Sequence, residues 1–406
     1  MLAAQSVKQW LKIGEAARLL GVTETTLRNW DRAGRLQARR HPVNGYRLYS
    51  MTQIRDLLDA RDAEPAVSAG DEDDRIDLPP GHWDLRVALD PKHRPQIWDL
   101  PASTVRRDWR KYPQEAYVIR RDGCAYRRLT PGEIAALQSL PPECVEHEGL
   151  TNRERIAAVG DAVPPPLAAA VGTALRDVVS DLPTATVEIC AGVGGMARGM
   201  HSAGFDHLAT VDRDEPAVTL LRSSGVLPAA LVHLADVRTF DFSPFEGRLG
   251  LLCGGPPCQP WSQSGHRRGT DDERDLMSWI PDLLGRLSPD AFIFENVPGL
   301  LIAGNRSYLE NLVTRLRRPA DGLRYGVAVA RLNAADFGVP QTRRRVFFVG
   351  LRDRPASMAH QVFDAVADRR THRGPGDYSG PVAPWRTVGD AIGDLADPGG
   401  WRRWPM

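Results

Sequence analysis

The sequence predicts a doubly wound α/β domain with a mixed sheet, preceded by a small basic helical unit and flanked by short irregular segments. Three observations predict it. From residue 184 onward, short apolar runs alternate with stretches of helical apolar spacing, the pattern of strands buried on both faces and covered by helices. The first run passes into a helix through the glycine-rich turn Cys190-Ala191-Gly192-Val193-Gly194-Gly195, where backbone can approach a ligand closely. Residues 1–55 hold ten Lys or Arg against three Asp or Glu, although the whole chain carries a net charge of only +1. A compact basic unit on a neutral chain is suited to a polyanion.

The basic unit reads as two helices and a wing. Ile13–Leu20 has helical apolar spacing, Gly21-Val22 makes a turn, and Thr23 can cap a second helix over 24–32. Asn44-Gly45 is a hairpin signal, followed by alternation through Tyr46-Arg47-Leu48-Tyr49. This resembles the winged helix-turn-helix head of MerR-type regulators and excisionases. The resemblance implies DNA contact by Arg28, Asn29, Arg32 and Arg47; a helical interaction module is the alternative. Residues 62–80, rich in Asp, Glu, Ala, Pro and Gly, read as a linker.

The 406 residues suffice for one large domain with smaller attachments, and 42% hydrophobic with 25% charged residues is ordinary for a globular chain. No run of eighteen apolar residues and no charged-then-apolar N-terminal segment is present, so neither a membrane span nor an export signal is expected. Cys124, Cys144, Cys190, Cys253 and Cys258 form an odd, scattered set without a Cys-x-x-Cys pair. That favours a reducing cytoplasm over a disulfide framework, and no structural zinc is expected.

Within the α/β region, Thr186–Cys190, Leu208–Val211, Leu251–Cys253, Ala291–Phe294 and Val346–Val349 read as strands, with a helix over 195–204. Open α/β sheets bind ligands at the carboxyl ends of their strands. Asp212 ends the second strand, where it can accept from ribose hydroxyls. Asp236 follows Leu231–Ala235 and can reach an adenine amino group. Taken alone, the glycine-rich turn and these acids fit a dinucleotide site equally well. Gly254-Gly255-Pro256-Pro257-Cys258-Gln259-Pro260-Trp261-Ser262 is more specific: it sets a cysteine, stiffened by two prolines, at a strand end, where its thiolate can act as a nucleophile. Glu295-Asn296-Val297 ends another strand, where a carboxylic acid can donate to a ring nitrogen. Gln341-Thr342-Arg343-Arg344-Arg345 brings guanidiniums that can hold a carbonyl or a phosphate.

In this order and combination the motifs resemble those of the cytosine-C5 methyltransferase family, over about residues 85–395. The resemblance implies a sheet of the S-adenosylmethionine-dependent methyltransferase type with a small irregular target-recognition region. It implies a methyl transfer from S-adenosylmethionine, leaving S-adenosylhomocysteine, to carbon 5 of a flipped-out cytosine through a Cys258 adduct, without a metal. Cys258, Glu295, Arg343 and Arg345 would be catalytic. Cys190, Val193, Gly195, Asp212, Arg213, Asp236, Pro257, Leu276 and Ala162 would hold the cofactor. Gln259, Ser262, Arg267 and Arg268, in the polar loop after Cys258, would join the head residues on DNA. Double-stranded DNA is the implied partner, with a transfer RNA as the rival substrate. A cognate restriction endonuclease or a second recognition subunit is a further candidate partner, in a restriction-modification or phage-defence setting.

Two motifs stand in an unusual place. Arg127-Arg128-Leu129-Thr130-Pro131-Gly132-Glu133 with Leu137-Gln138, and Gly160-Asp161-Ala162-Val163-Pro164-Pro165, resemble segments that in most of the family close the chain; here they precede the glycine-rich turn. The chain is therefore expected to be circularly permuted. The expected organisation is a head at 1–61, a linker at 62–80 and one part of the recognition region at 81–126. Displaced motifs at 127–180, the catalytic core at 181–350 and the rest of the recognition region at 351–406 follow. Asp161 stands where the family has Asn, and Cys190 where it has Phe, which bears on cofactor affinity.

Overall fold

The computed structural model describes residues 10–20, 27–28, 31, 36–40, 47–50, 52–54, 95–107, 113–119, 125–257, 275–374, 382–395 and 397–403. Along the chain these form β1 (Trp10–Lys12), α1 (Ile13–Leu20), β2 (Arg39–Arg40), β3 (Arg47–Ser50), β4 (Gln96–Ile97), β5 (Tyr117–Ile119), β6 (Ala125–Arg128), α2 (Pro131–Leu137), α3 (Asn152–Asp161) and α4 (Pro165–Val178). The large sheet and its helices follow: β7 (Ala185–Ile189), α5 (Gly195–Ser202), β8 (Asp206–Asp212), α6 (Glu215–Ser223), β9 (Val232–Leu234), β10 (Leu251–Gly254), α7 (Ile280–Leu287), β11 (Ala291–Asn296), α8 (Arg306–Arg317), β12 (Tyr325–Asn333), β13 (Arg344–Arg352) and α9 (Ala356–Asp368). Last come β14 (His372–Arg373), β15 (Ala383–Pro384), α10 (Val388–Ile392) and β16 (Arg402–Arg403). The chain divides into two compact units, one of residues 1–99, 109–129 and 397–406, the other of 100–108 and 130–396.

In the larger unit seven strands run in the order β12-β13-β11-β10-β7-β8-β9. All neighbours are parallel except at β13, which is antiparallel to both β11 and β12. The mixed, doubly wound sheet expected from the sequence is therefore present. Alternate side chains enter opposite layers, as strand geometry requires. In β11, Ala291 and Ile293 join the core beneath α4 and α9, while Phe292 and Phe294 join the core beneath α7 and α8. Each fully buried Leu or Phe contributes about 1.5–3 kcal/mol, which is why these strands read as continuous apolar runs.

The connection order places the active crevice. β7 leads outward to β8 and β9 on one side, whereas β10 and β11 lie on the other. Strand direction of travel reverses between β7 and β10, and at such a switch point the two following loops part and leave an opening. Cys190–Gly192 and Gly255–Pro257 are those loops.

The segments ahead of the sheet are cut to fit it. Thr130 with Glu133, and Thr151 with Glu154, form capping boxes that start α2 and α3. α3 ends at Asp161, and the prolines at the first turn of α4 restart the helix. The span 152–178 is apolar and long enough by composition to cross a membrane, but it is these two helices, and 61% of its most apolar window is buried inside the protein.

The smaller unit holds two sheets. In the first, β3 pairs with β1 and β2. Its wing docks through Tyr49, which is buried and donates to the Leu27 carbonyl at 3.3 Å. Arg47 pairs with Asp31 at 2.8 Å, so the arginine braces the wing against the second helix, of which Leu27, Arg28 and Asp31 are described as helical. The second sheet runs β16-β6-β5-β4, joining residues from both ends of the sequence. The residues after 351 divide between the two units. Residues 351–395 lie in the larger unit, because Ala359, Val362 and Val366 of α9 bury their apolar stripe in the core shared with α4. Only 397–403, through β16 on β6, joins the sheet formed by 96–128.

Candidate active site

A cleft of about 670 Å³ opens at the switch point, within the range of small-molecule sites. Its floor is the end of β7 and β10. Its walls are Asp212, Arg213 and Asp214 after β8, Asp236 and Val237 after β9, Leu276 before α7, and Asp161, Ala162 and Val163 between α3 and α4. Of the residues expected to hold a cofactor, Cys190, Asp212, Arg213, Asp236, Pro257, Leu276 and Ala162 line it. Val193 and Gly195 do not. Val193 is buried under the turn, and a Cβ on Gly195 would stand 2.1 Å from the Val163 carbonyl oxygen. Gly195 thus serves the close packing of α5 on the 162–164 segment rather than contact with a ligand.

The Asp212 carboxylate braces the glycine-rich turn, accepting from Gly192 N at 2.7 Å and from Asp214 N at 2.8 Å. Burial raises its pKa, while those two amides pull it down. Cys190 has φ +52°, a left-handed conformation that costs a residue with a Cβ about 1–2 kcal/mol. Its thiol is partly buried on the cleft wall, and desolvation pushes its pKa well above the ordinary thiol value. Cys190 is accordingly a neutral, apolar contact.

Glu295 on β11 is buried at the head of the cleft. Arg345 Nε lies 2.7 Å from its Oε1, but the N–H is not aimed along that line, so Oε1 accepts no hydrogen bond. Burial pushes the carboxyl up from the usual glutamate value, and Arg345 and Arg343 pull it the other way. A buried acid whose pKa is raised in this way is better suited to donating a proton than an exposed carboxyl. Its neighbour Asn296 donates to Pro256 O at 3.0 Å, and Pro257 O accepts from Leu276 N at 3.1 Å. These bonds fix the Pro-Pro pair beside Glu295. Cys258, Gln259, Ser262, Arg267 and Arg268 lie outside the described residues, as do Asn29 and Arg32; Arg28 is exposed.

Arg343 lines the cleft and is also held by backbone carbonyls. It is 1% exposed and donates to Val105 O at 3.0 Å and Gly160 O at 2.9 Å. Its Nε is buried and has no partner. Gln341 does similar work. Its Oε1 accepts from Val105 N at 2.9 Å, and its Nε2 donates to Leu137 O at 3.1 Å and to Gln138 Oε1. Gln138 in turn donates to Ala162 O at 2.6 Å. These two glutamines and Arg343 tie residues 102–105, α2 and the end of α3 to the chain entering β13. Gln341→Leu strands the Val105 amide and the Gln138 amide oxygen in a dry interior, so it is expected to destabilise the unit by about 2–4 kcal/mol; urea unfolding compared with wild type checks this.

The sequence reading missed Arg107, Asp214 and Asn296 as site residues. Asp161, an acid where the resemblance places an amide, was the available signal for Arg107. The guanidinium pairs with Asp161 through Nη1 and with Asp214 through Nη2, the latter at 2.9 Å. Glu188, His207 and Cys253 also bring ligand-type atoms within 4.8 Å of one another in the floor. There the imidazole and carboxylate bond to each other at 2.9 Å, and burial holds the thiol far above its usual pKa.

Residues 184–387 match the family model for C-5 cytosine-specific DNA methylase, and 12–49 match that for the MerR family regulatory protein. The Type II methyltransferase M.NaeI of Lentzea aerocolonigenes is 35% identical over 218 residues, covering 53% of this chain and 47% of that protein. M.NgoMIV of Neisseria gonorrhoeae is 39% identical over 168 residues, 41% of this chain and 52% of that protein. M.AquIA of Picosynechococcus sp. is 31% identical over 235 residues, 52% of this chain and 88% of that protein. The chain spans about half the length of the first two. With half its length matching the family model over the very strands that build the cleft, this chain belongs to the C-5 cytosine-specific DNA methylase family.

Proposed function

We propose that the chain is a DNA (cytosine-5-)-methyltransferase acting on double-stranded DNA with S-adenosylmethionine, as part of a restriction-modification or phage-defence system. The observation that carries this reading is the buried Glu295 paired with Arg345 in a cleft that Pro256 and Pro257 also line, immediately before Cys258 in the sequence.

The cleft fits the donor chemically. Asp212 and Asp236 supply acceptors for hydroxyl and amino groups, and Val237, Pro257 and Leu276 supply apolar flanks. S-adenosylmethionine, when bound, supplies an electrophilic methyl group. Cys258 thiolate adds to carbon 6 of a cytosine rotated out of the duplex, forming the C–S bond and sending the ring electrons toward N3. Glu295 gives its proton to N3, so that no anion builds up on the ring, and carbon 5 becomes nucleophilic. Arg345 holds the Glu295 carboxylate and the base carbonyl. Once carbon 5 carries the methyl group, its proton passes to water, the C–H electrons re-form the ring double bond and expel the thiolate, and N3 returns its proton to Glu295. Arg343 and Gln341 act as positioning residues that hold residues 102–105 and the 160–162 turn against the site. The order of segments is read as a circular permutation: α3 and α4, ahead of the sheet in sequence, complete the cleft.

Bisulfite sequencing of DNA from cells expressing the chain tests the function. Protection of cytosines at one recurrent sequence is expected; uniform conversion would sink the proposal. The basic head adds phosphate contacts, so deleting residues 1–60 is expected to weaken DNA binding and flatten its salt dependence, read by fluorescence anisotropy at a series of salt concentrations.

A further inference from the structure

Arg107 has a built place at the cleft. A Cβ on Gly160 would stand 2.5 Å from the Arg106 carbonyl carbon, so only glycine lets the 106–107 backbone lie on the end of α3. Arg343 clamps both sides of that contact through Val105 O and Gly160 O. The result delivers the Arg107 guanidinium between Asp161, at the end of α3, and Asp214, the N-cap of α6. All three line the same cleft.

We propose that Arg107 and Asp161 form the subsite for the aminocarboxylate end of the methyl donor, the guanidinium meeting the carboxylate and Asp161 meeting the ammonium. This rests on the function proposed above. Asp161, Asp212, Asp214 and Asp236 make the wall strongly acidic, and a carboxylate entering it needs a cation. Arg213 and Arg238 line the cleft beside the ends of β8 and β9, Arg343 is buried between two carbonyls and Arg345 pairs with Glu295, so Arg107 is the cation seated against Asp161 at the end of α3. Arg107 directs one N–H to each aspartate and, with five N–H groups on a guanidinium, keeps others for a ligand. Asp161 engages Arg107 through Oδ2, leaving Oδ1 as an acceptor. The pair also explains how an acid is tolerated where the family has an amide: the donors lost with the amide return as a guanidinium from another segment.

Calorimetric titration of the full chain with S-adenosylhomocysteine and with 5′-methylthioadenosine, which lacks the aminocarboxylate, tests the assignment. Arg107→Ala is expected to weaken S-adenosylhomocysteine binding by roughly 10- to 100-fold, the loss of a charge-assisted pair. The same variant should bind 5′-methylthioadenosine within about twofold of wild type, showing that the cleft is intact. Arg107→Lys should recover part of the loss. Equal weakening of both ligands, or unchanged binding of both, overturns the subsite. A wild-type chain that binds neither ligand overturns the functional reading itself, and the subsite with it.

Discussion

Cys258→Ser is expected to reduce methyl transfer by on the order of 10⁴- to 10⁶-fold, the loss typical when a covalent nucleophile is removed. A serine hydroxyl at neutral pH is almost wholly protonated, whereas a thiol ionises near pH 8.5 and is the stronger nucleophile. The cofactor walls are built from other segments, so S-adenosylhomocysteine binding should stay at the wild-type level. The decisive measurement uses DNA carrying 5-fluorocytosine, whose carbon 5 has no proton to lose. Wild type should accumulate a denaturant-resistant protein–DNA complex and Cys258→Ser none. Transfer at the native rate by the serine variant would remove the basis of the proposed chemistry.

Glu295→Gln is expected to lower kcat by about 10²- to 10⁴-fold and to change the shape of the pH profile. Burial raises the Glu295 pKa above the ordinary glutamate value, so the protonated acid persists to higher pH than an exposed carboxyl would allow. Activity that needs this proton is present below the raised pKa and is lost as pH rises through it. The thiolate of Cys258 works in the opposite sense, increasing with pH. The wild-type profile should therefore be bell-shaped, with apparent values belonging to the coupled site. The glutamine variant keeps an N–H donor but cannot release a proton, so its descending limb should vanish while the ascending limb remains. A descending limb that persists in Glu295→Gln would assign it to another group.

The strand and helix pattern was legible because it is local. Burial on two faces imposes unbroken apolar runs such as Ala291–Phe294, and α5 begins where the glycine-rich turn ends. β12 escaped the reading: its last five residues are only partly buried or exposed, so polar residues interrupt its apolar run. Most of the expected cofactor residues also line the cleft, since strand ends carry ligand contacts in any open α/β sheet. The apolar stripe of α9 says that a face is buried, not which element covers it, so its packing on α4 was not legible from the sequence.

Sequence alone determined the fold class, the family, the Pro-Pro-Cys and Glu-Asn-Val strand ends, and the basic winged head, all of which are written in short contiguous runs. Tertiary structure alone decided which groups the arginines touch. Arg343 looks like a base-holding residue beside Arg345, yet its partners lie 238 and 183 positions away at Val105 and Gly160. Arg107 looks like one more surface charge until Asp161 and Asp214, 54 and 107 positions distant, close on it. A guanidinium's role is set by which acceptors surround it, and those are brought together by chain folding rather than by neighbouring residues.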